Sequence, residues 1–193
     1  IMASFFSSNK ELITAYEYGR VDTAFTRSVA AAQYKSGISS LSIAYNTRQM
    51  ECLLMNHQTF PMESLKVRQA IRYAINVNQI SNNVYMGMTL DSDAMVPSNS
   101  WLYDDSLESE FVYNPEMARQ LLDEDGWTDL DNEGPLDKIV GNDVKHLYLQ
   151  LITYEDPDND VRYETANLIE EMLAEVGIGI SKTTAVSYQD MQS

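Results

Sequence analysis

Few residues in this chain have the type and spacing that bond-making chemistry requires. Its two histidines, His57 and His146, lie far apart in sequence, and the single cysteine, Cys52, sits inside the apolar run "ECLLM". A zinc centre gathers three or four such ligands, so each histidine is read as structural or solvent-facing. There is no nucleophile elbow, no phosphate-binding glycine loop, no dinucleotide fingerprint and no H-E-x-x-H pair, so covalent catalysis, nucleotide binding and metalloprotease chemistry all lack their groups. A hydrolase reading fails for want of an activated nucleophile, and no enzyme activity and no cofactor are expected. The nearest approach to a metal loop is "DLDNEG", where Asp129, Asp131 and Glu133 precede Gly134. Calcium loops of that spacing draw much of their affinity from a bidentate carboxylate at the twelfth position, and Val140 stands there instead. The segment is expected to be a solvated turn, with no metal bound.

Charge narrows the partners further. Thirteen Lys and Arg face 29 Asp and Glu, a formal charge of −16, which argues against nucleic acid and anionic membranes as ligands. With 193 residues, 44% of them hydrophobic, the chain is long enough to bury one sizeable core. No apolar run approaches a membrane span, and the amino end lacks the basic and apolar regions of a signal peptide. A first residue of Ile and an abrupt end at "YQDMQS" suggest a piece of something longer, whose destination these ends would not reveal.

The elements that would position any site alternate in type. Ser8 and Glu11 have capping-box spacing ahead of Leu12, Ile13, Ala15 and Tyr16, with Gly19 as a stop, so a first helix is expected there. "RVDTAF", "LSIAYN" and "ECLLMN" read as short strands from their β-branched and aromatic content. "SLKVRQAIRYAIN" then places Val67, Ala70, Ile71, Ala74 and Ile75 on one helical face behind an N-cap at Ser64. Asn76, with Gln79 three residues on, starts another helix that closes at Gly87. Residues 88–111 carry Pro97, many Asp and Ser, and the aromatics Trp101 and Tyr103, and are expected to form a long, packed, irregular connection. Asn114, Pro115 and Gly126 bracket the clearest capped helix, with Met117, Ala118, Leu121 and Leu122 inward. "HLYLQLITY" alternates as a strand. Val161, Thr165, Leu168, Ile169, Met172, Leu173 and Val176 mark a long helix stopped by Gly177, and "IGISKTTAV" resumes extended structure. Such β/α order implies an α/β domain with a partly parallel sheet.

Five strings in order resemble family 5 extracellular solute-binding proteins, the oligopeptide, dipeptide and nickel binders of ABC importers. They are "AYEYGRVDTAF", "ECLLMNHQTFPMESLKVRQAIRYAIN" continuing through "QISNNVYMG", "VPSNSWLYD", "YNPEMARQLLDEDGWTDLDNEG" and "NDVRYETANLIEEMLAEVGIGI". Two departures stand out: Asn76 replaces the family's usual Asp, and "DNEGP" replaces its "D-G-D-G-I-R" turn. The resemblance implies that residues 1–193 are one α/β lobe of a two-lobed periplasmic-binding-protein-like fold of type II, a mixed sheet flanked by helices. Residues 1–40 would lie near the hinge, and the second lobe would belong to the same parent chain. The implied partners are a peptide or other small solute and the membrane permease of an ABC importer. The implied location is periplasmic, or extracellular as a cell-surface lipoprotein. A ligand-sensing domain of a transcription regulator, built on the same fold, is the alternative.

A two-lobed receptor of this kind closes on its ligand with loops at the carboxyl ends of strands. Two such places are expected to bind. One is the loop containing Tyr154, Glu155, Asp156, Asp158 and Asn159, between a strand and a helix start. Its acids stand where dipeptide-binding relatives place an arginine and an aromatic, so a ligand carboxylate would be repelled there. The other offers Tyr45, Asn46 and Asn56 at the ends of "LSIAYN" and "ECLLMN", although Asn56 is equally able to tie down its own turn.

Overall fold

The computed structural model describes residues 2–37, 39–45, 47, 50–90, 92, 96, 100–104, 106, 111–154, 160–187 and 189, apart from the side chains of 182–186. Helix α1 (Asn9–Glu17) starts as its sequence requires, with Ser8 accepting from Glu11 N–H. The reciprocal half of the box slips by one residue, because the Glu11 carboxylate takes the N–H and hydroxyl of Ser7. A 3-10 helix at Val29–Tyr34, unannounced by the sequence, comes next.

The core begins at α2 (Leu65–Ala74). All five residues assigned to its inward face are buried, among them Val67 and Ala70 at 0% exposure. Each large aliphatic side chain taken from water there contributes about 1.5–3 kcal/mol. Ser64 sits at the N-cap position but makes no side-chain cap; its hydroxyl instead donates to Asp125 Oδ1 at 2.7 Å. Helix α3 (Val77–Asn83) is capped by Asn76, which accepts from Gln79 N–H. Helix α4 (Pro115–Glu124) is capped by Asn114, which accepts from Met117 N–H, and proline occupies its first turn, where a missing N–H leaves nothing unpaired. The backbone N–H of Asn114 also donates to the carbonyl of Tyr73, joining the start of α4 to the end of α2.

Asp125 knots this helix pair to Trp127 and Lys138. Its carboxylate accepts from Ser64 Oγ, from the indole N–H of Trp127 and from Lys138 Nζ at 2.9 Å. Lys138 also lies over the Trp127 ring, 5.6 Å from its centroid, and Trp127 itself is 1% exposed. Burial pushes the Asp125 carboxyl up, but the contacts with Lys138, Ser64 and Trp127 outweigh it and hold the carboxyl below its ordinary range.

Two small sheets complete the chain. Strands β1 (Asp137–Val140) and β2 (Asp143–His146) form an antiparallel hairpin that sequence reasoning missed. Strands β3 (Tyr148–Tyr154) and β4 (Gly179–Val186) pair in parallel, joined by helix α5 (Val161–Ala174), so the expected βαβ order is present. Along β3, Leu149 and Leu151 turn toward the core while Tyr148, Gln150 and Ile152 face out, as their alternation requires. Helix α5 buries Val161, Ile169, Met172 and Leu173, and ends at Gly177, whose φ of +84° an L side chain rarely adopts. No space is left at Gly179 either: a Cβ there would sit 2.5 Å from Pro135 Cγ and 2.6 Å from Tyr148 Cε1.

Two expectations are corrected. "RVDTAF", "LSIAYN" and "ECLLMN" form no strand among the described residues. A helix satisfies its backbone within its own segment, whereas a strand needs a neighbouring ladder, and sequence propensity cannot supply one. Several of their apolar side chains stay in water accordingly, with Leu41 88%, Ile43 78% and Leu54 80% exposed, while Met55 is partly buried against the core. The described residues of 88–111 are irregular as expected, but Trp101 is 90% exposed, so the packing expected of that connection is not found at this residue.

Candidate functional site

The carboxyl end of β3 and the amino end of α5 meet at Tyr154 and Arg162. Residues 155–159, and with them the predicted Glu155, Asp156, Asp158 and Asn159, lie outside the described residues, as does Asn46. Tyr154 is described and half-buried, and the Arg162 guanidinium stacks over its ring at 4.4 Å. The same guanidinium forks onto Glu51, with Nε donating to Oε2 at 3.1 Å and Nη2 to Oε1 at 2.6 Å. A bidentate fork of this kind fixes both the distance and the plane of the carboxylate. Glu51 and Arg162 are 111 residues apart, so this contact brings the "ECLLMN" segment to the start of α5. The start of that segment is therefore tied to the flank of the predicted loop through a pair that sequence reasoning did not name.

Tyr85 belongs to the same group. Burial raises its phenol above the ordinary range, the Thr165 hydroxyl facing it pulls the other way, and Glu51 raises it further. The phenol therefore stays protonated at neutral pH and can donate or accept. An aromatic, a phenol, a guanidinium and a carboxylate at a strand's carboxyl end can hold the polar groups of a small solute; nothing in the set is arranged as nucleophile and base.

The remaining predicted residues go elsewhere. Tyr45 stacks on Phe25, with ring centroids 5.5 Å apart and planes 17° from parallel, and is 53% exposed. Asn56 Oδ1 accepts from Gln58 N–H at 3.0 Å, the turn-fixing role open to it from sequence. His57 is exposed. Only one signal in the sequence pointed to Arg162: it is the first cation after the acidic run of Glu155, Asp156, Asp158 and Asp160. Nothing in the sequence pointed to Glu51, because its partner is remote. In "DLDNEG", Asp129 accepts from Asn132 N–H and Asp131 from Glu133 N–H, the bonds of ordinary turn formers.

The model of the family described as bacterial extracellular solute-binding proteins, family 5 middle, matches residues 2–192. The dipeptide-binding protein of Escherichia coli K12 is 38% identical over 74 residues, 38% of this chain and 14% of that protein. The oligopeptide-binding protein AppA of Bacillus subtilis is 35% identical over 129 residues, 64% of this chain and 22% of AppA. In the structure of AppA with a nonapeptide, the two superpose with a TM-score of 0.64 at 29% identity, over 72% of this chain and 26% of that one. A nickel ABC transporter structure from Bacillus halodurans shares the fold over 97% of this chain and 38% of its own length, with a TM-score of 0.76 at 18% identity. The chain thus spans well under a third of the first two relatives.

Proposed function

Because this chain belongs to the family 5 bacterial extracellular solute-binding proteins, we propose that it forms one lobe of a longer two-lobed receptor, which captures peptides or a related small solute outside the cell and delivers them to the permease of an ABC importer. The family is one of solute-binding proteins rather than enzymes. The observation that carries the reading is the meeting of Tyr154, Arg162 and Glu51 at the carboxyl end of β3, where open α/β sheets bind ligands. Peptide is the favoured solute because the E. coli relative is a dipeptide-binding protein and AppA was solved with a nonapeptide. The receptor would work in the periplasm or on the cell surface as a lipoprotein, and the other lobe would be supplied by the same parent chain. The relatives named are dipeptide- and oligopeptide-binding proteins, so the regulator alternative gains no support.

The acids of 155–158 would then face the ligand and favour a cationic residue. In the complete receptor, replacing Asp156 and Asp158 by Ala should weaken a Lys- or Arg-containing peptide by about 1–3 kcal/mol, the worth of charge-assisted hydrogen bonds. Calorimetric titration of the two forms reads this directly. An unchanged dissociation constant for every peptide bound would remove this loop from the site.

A further inference from the structure

We propose that Asp131, Asp137 and His146 form a binding site for one divalent transition-metal ion of the Zn2+ type. One ligand atom from each residue lies within 4.8 Å of the other two. The three come from separate places in the chain: Asp131 from the turn before the hairpin, Asp137 from the first residue of β1, and His146 from the last residue of β2. Hairpin register sets Asp137 directly opposite His146, so their approach is dictated by backbone pairing rather than by chance on the surface. The set differs from the calcium loop weighed in "DLDNEG", of which it shares Asp131 alone, and it revises the expectation that no metal binds there.

Asp137 is the one buried charged residue among the described ones, at 1% exposure. Its Oδ2 accepts from Leu130 N–H at 3.3 Å, and its Oδ1 lies 2.6 Å from His146 Nδ1. A carboxylate at the floor, oriented by a backbone amide, an imidazole beside it and a second carboxylate on an exposed turn above are the ligands of a mixed nitrogen and oxygen site. The shared hydrogen between Asp137 and His146 is what an ion would replace. Ligands each about 2.0–2.2 Å from one Zn2+ stand roughly 3.3–3.5 Å apart, so the Asp137–His146 pair must open from 2.6 Å while Asp131, whose Oδ1 accepts from Glu133 N–H, closes in with its turn. Two carboxylates also neutralise a dication. Calcium, which takes six to eight oxygens, is excluded by the imidazole and the short ligand count.

The site stands apart from the ligand-binding edge. His146 precedes β3 at its amino end and Tyr154 closes it at the other, roughly 20 Å away at strand rise. An ion here would staple the 129–134 turn to the base of the hairpin, and its presence does not depend on what the receptor carries.

The test uses Zn2+ alone, titrated calorimetrically into tag-free, chelator-stripped protein, with Ca2+ as a second titrant. Expected is saturable binding of one Zn2+ per chain and no comparable heat with Ca2+. Asp131→Asn replaces an exposed side chain and should remain folded by circular dichroism, whereas His146→Ala removes the partner of the buried Asp137 carboxylate, so His146→Gln, which keeps a donor there, serves beside it. Each should weaken Zn2+ tenfold or more, since even changes to groups behind the ligands cost about that much. His57→Ala should leave the affinity unchanged. The proposal is overturned by an absence of one-to-one Zn2+ binding, or by an unchanged affinity in either His146→Ala or Asp131→Asn, which would place the ion elsewhere on the acidic surface.

Discussion

Residues before Pro61 and residues after it have comparable stocks of apolar side chains but use them differently. Of the described residues up to Phe60, only Ala15 is buried, whereas the core cluster is drawn from Val67 to Ile178 without exception. Phe5 at 97% exposure and Leu41 at 88% contrast with Leu122, Leu147 and Ile178 at 0%. The difference lies in what each kind of element needs. After Pro61, helices α2, α4 and α5 bond their backbones internally and need only a face to pack, and the β3–α5–β4 unit carries its own ladder partner. Before Pro61, the segments with strand-like composition need neighbours that the described residues do not provide.

The largest effect expected from this contrast is on stability. Trp127→Ala should cost about 3–5 kcal/mol, while Ile43→Ala and Leu54→Ala should stay within about 0.5 kcal/mol of the parent in urea denaturation. Where the alanine variant of Trp127 does not fold, Ile71→Val, at about 1 kcal/mol, keeps the comparison measurable. A cost at Ile43 equal to that at Ile71 would erase the distinction between the two regions.

A second, intermediate effect concerns the knot at Asp125. Its carboxyl is held low in the folded protein, so the stability it contributes is present above the unfolded carboxylate value of about 3.9 and is lost as pH falls through the lower folded value. Unfolding measured from pH 6 down to roughly pH 2 should show this decline, and Asp125→Asn, which should cost about 2 kcal/mol near neutrality, should flatten it. If the variant keeps the parent's acid profile, the contribution belongs to other carboxylates.

The smallest effect tests the bridge between the regions. The Glu51 side chain is 52% exposed, so Arg162→Ala should cost only about 0.2–1 kcal/mol globally, and less in high salt. Its consequence should be local: amides of 50–56 should exchange faster with solvent while those of α2 and α4 do not change. Equal acceleration in both would show that the pair holds up the core rather than joining a segment to it.

How much of the fold is legible in the sequence obeys the same division. The faces of α2 and α5, the caps Ser8, Asn76 and Asn114, and the stop at Gly177 are readable because each depends on residues within a few positions of one another. Strand β3 is readable from its alternation, and a partly parallel sheet from the β/α order, but which strand pairs with β3 is not fixed by the pattern and comes from the structure. The strands expected in "LSIAYN" and "ECLLMN" fail because strand composition says nothing of a partner. The β1–β2 hairpin escapes notice because the exposed strand β2 lacks a buried face to impose alternation. At the candidate site, Tyr154 is readable from the end of a strand. Glu51, Tyr85 and Arg162 are not, since a fork across 111 residues and a phenol packed from another part of the chain leave no local pattern.

On the proposed reading, the chain would be half of a clamp. A clamp surrounds its ligand, and a single lobe leaves much of the ligand's polar surface in water and loses the closure that traps it. The most direct test is calorimetric titration of one peptide into this 193-residue chain and into the complete receptor, with Trp101 and Trp127 as a fluorescence check. The isolated chain should fold yet bind about a thousandfold more weakly, since a loss of ~4 kcal/mol moves a micromolar dissociation constant into the millimolar range. Low-micromolar, one-to-one binding of that peptide by the chain alone would contradict the clamp.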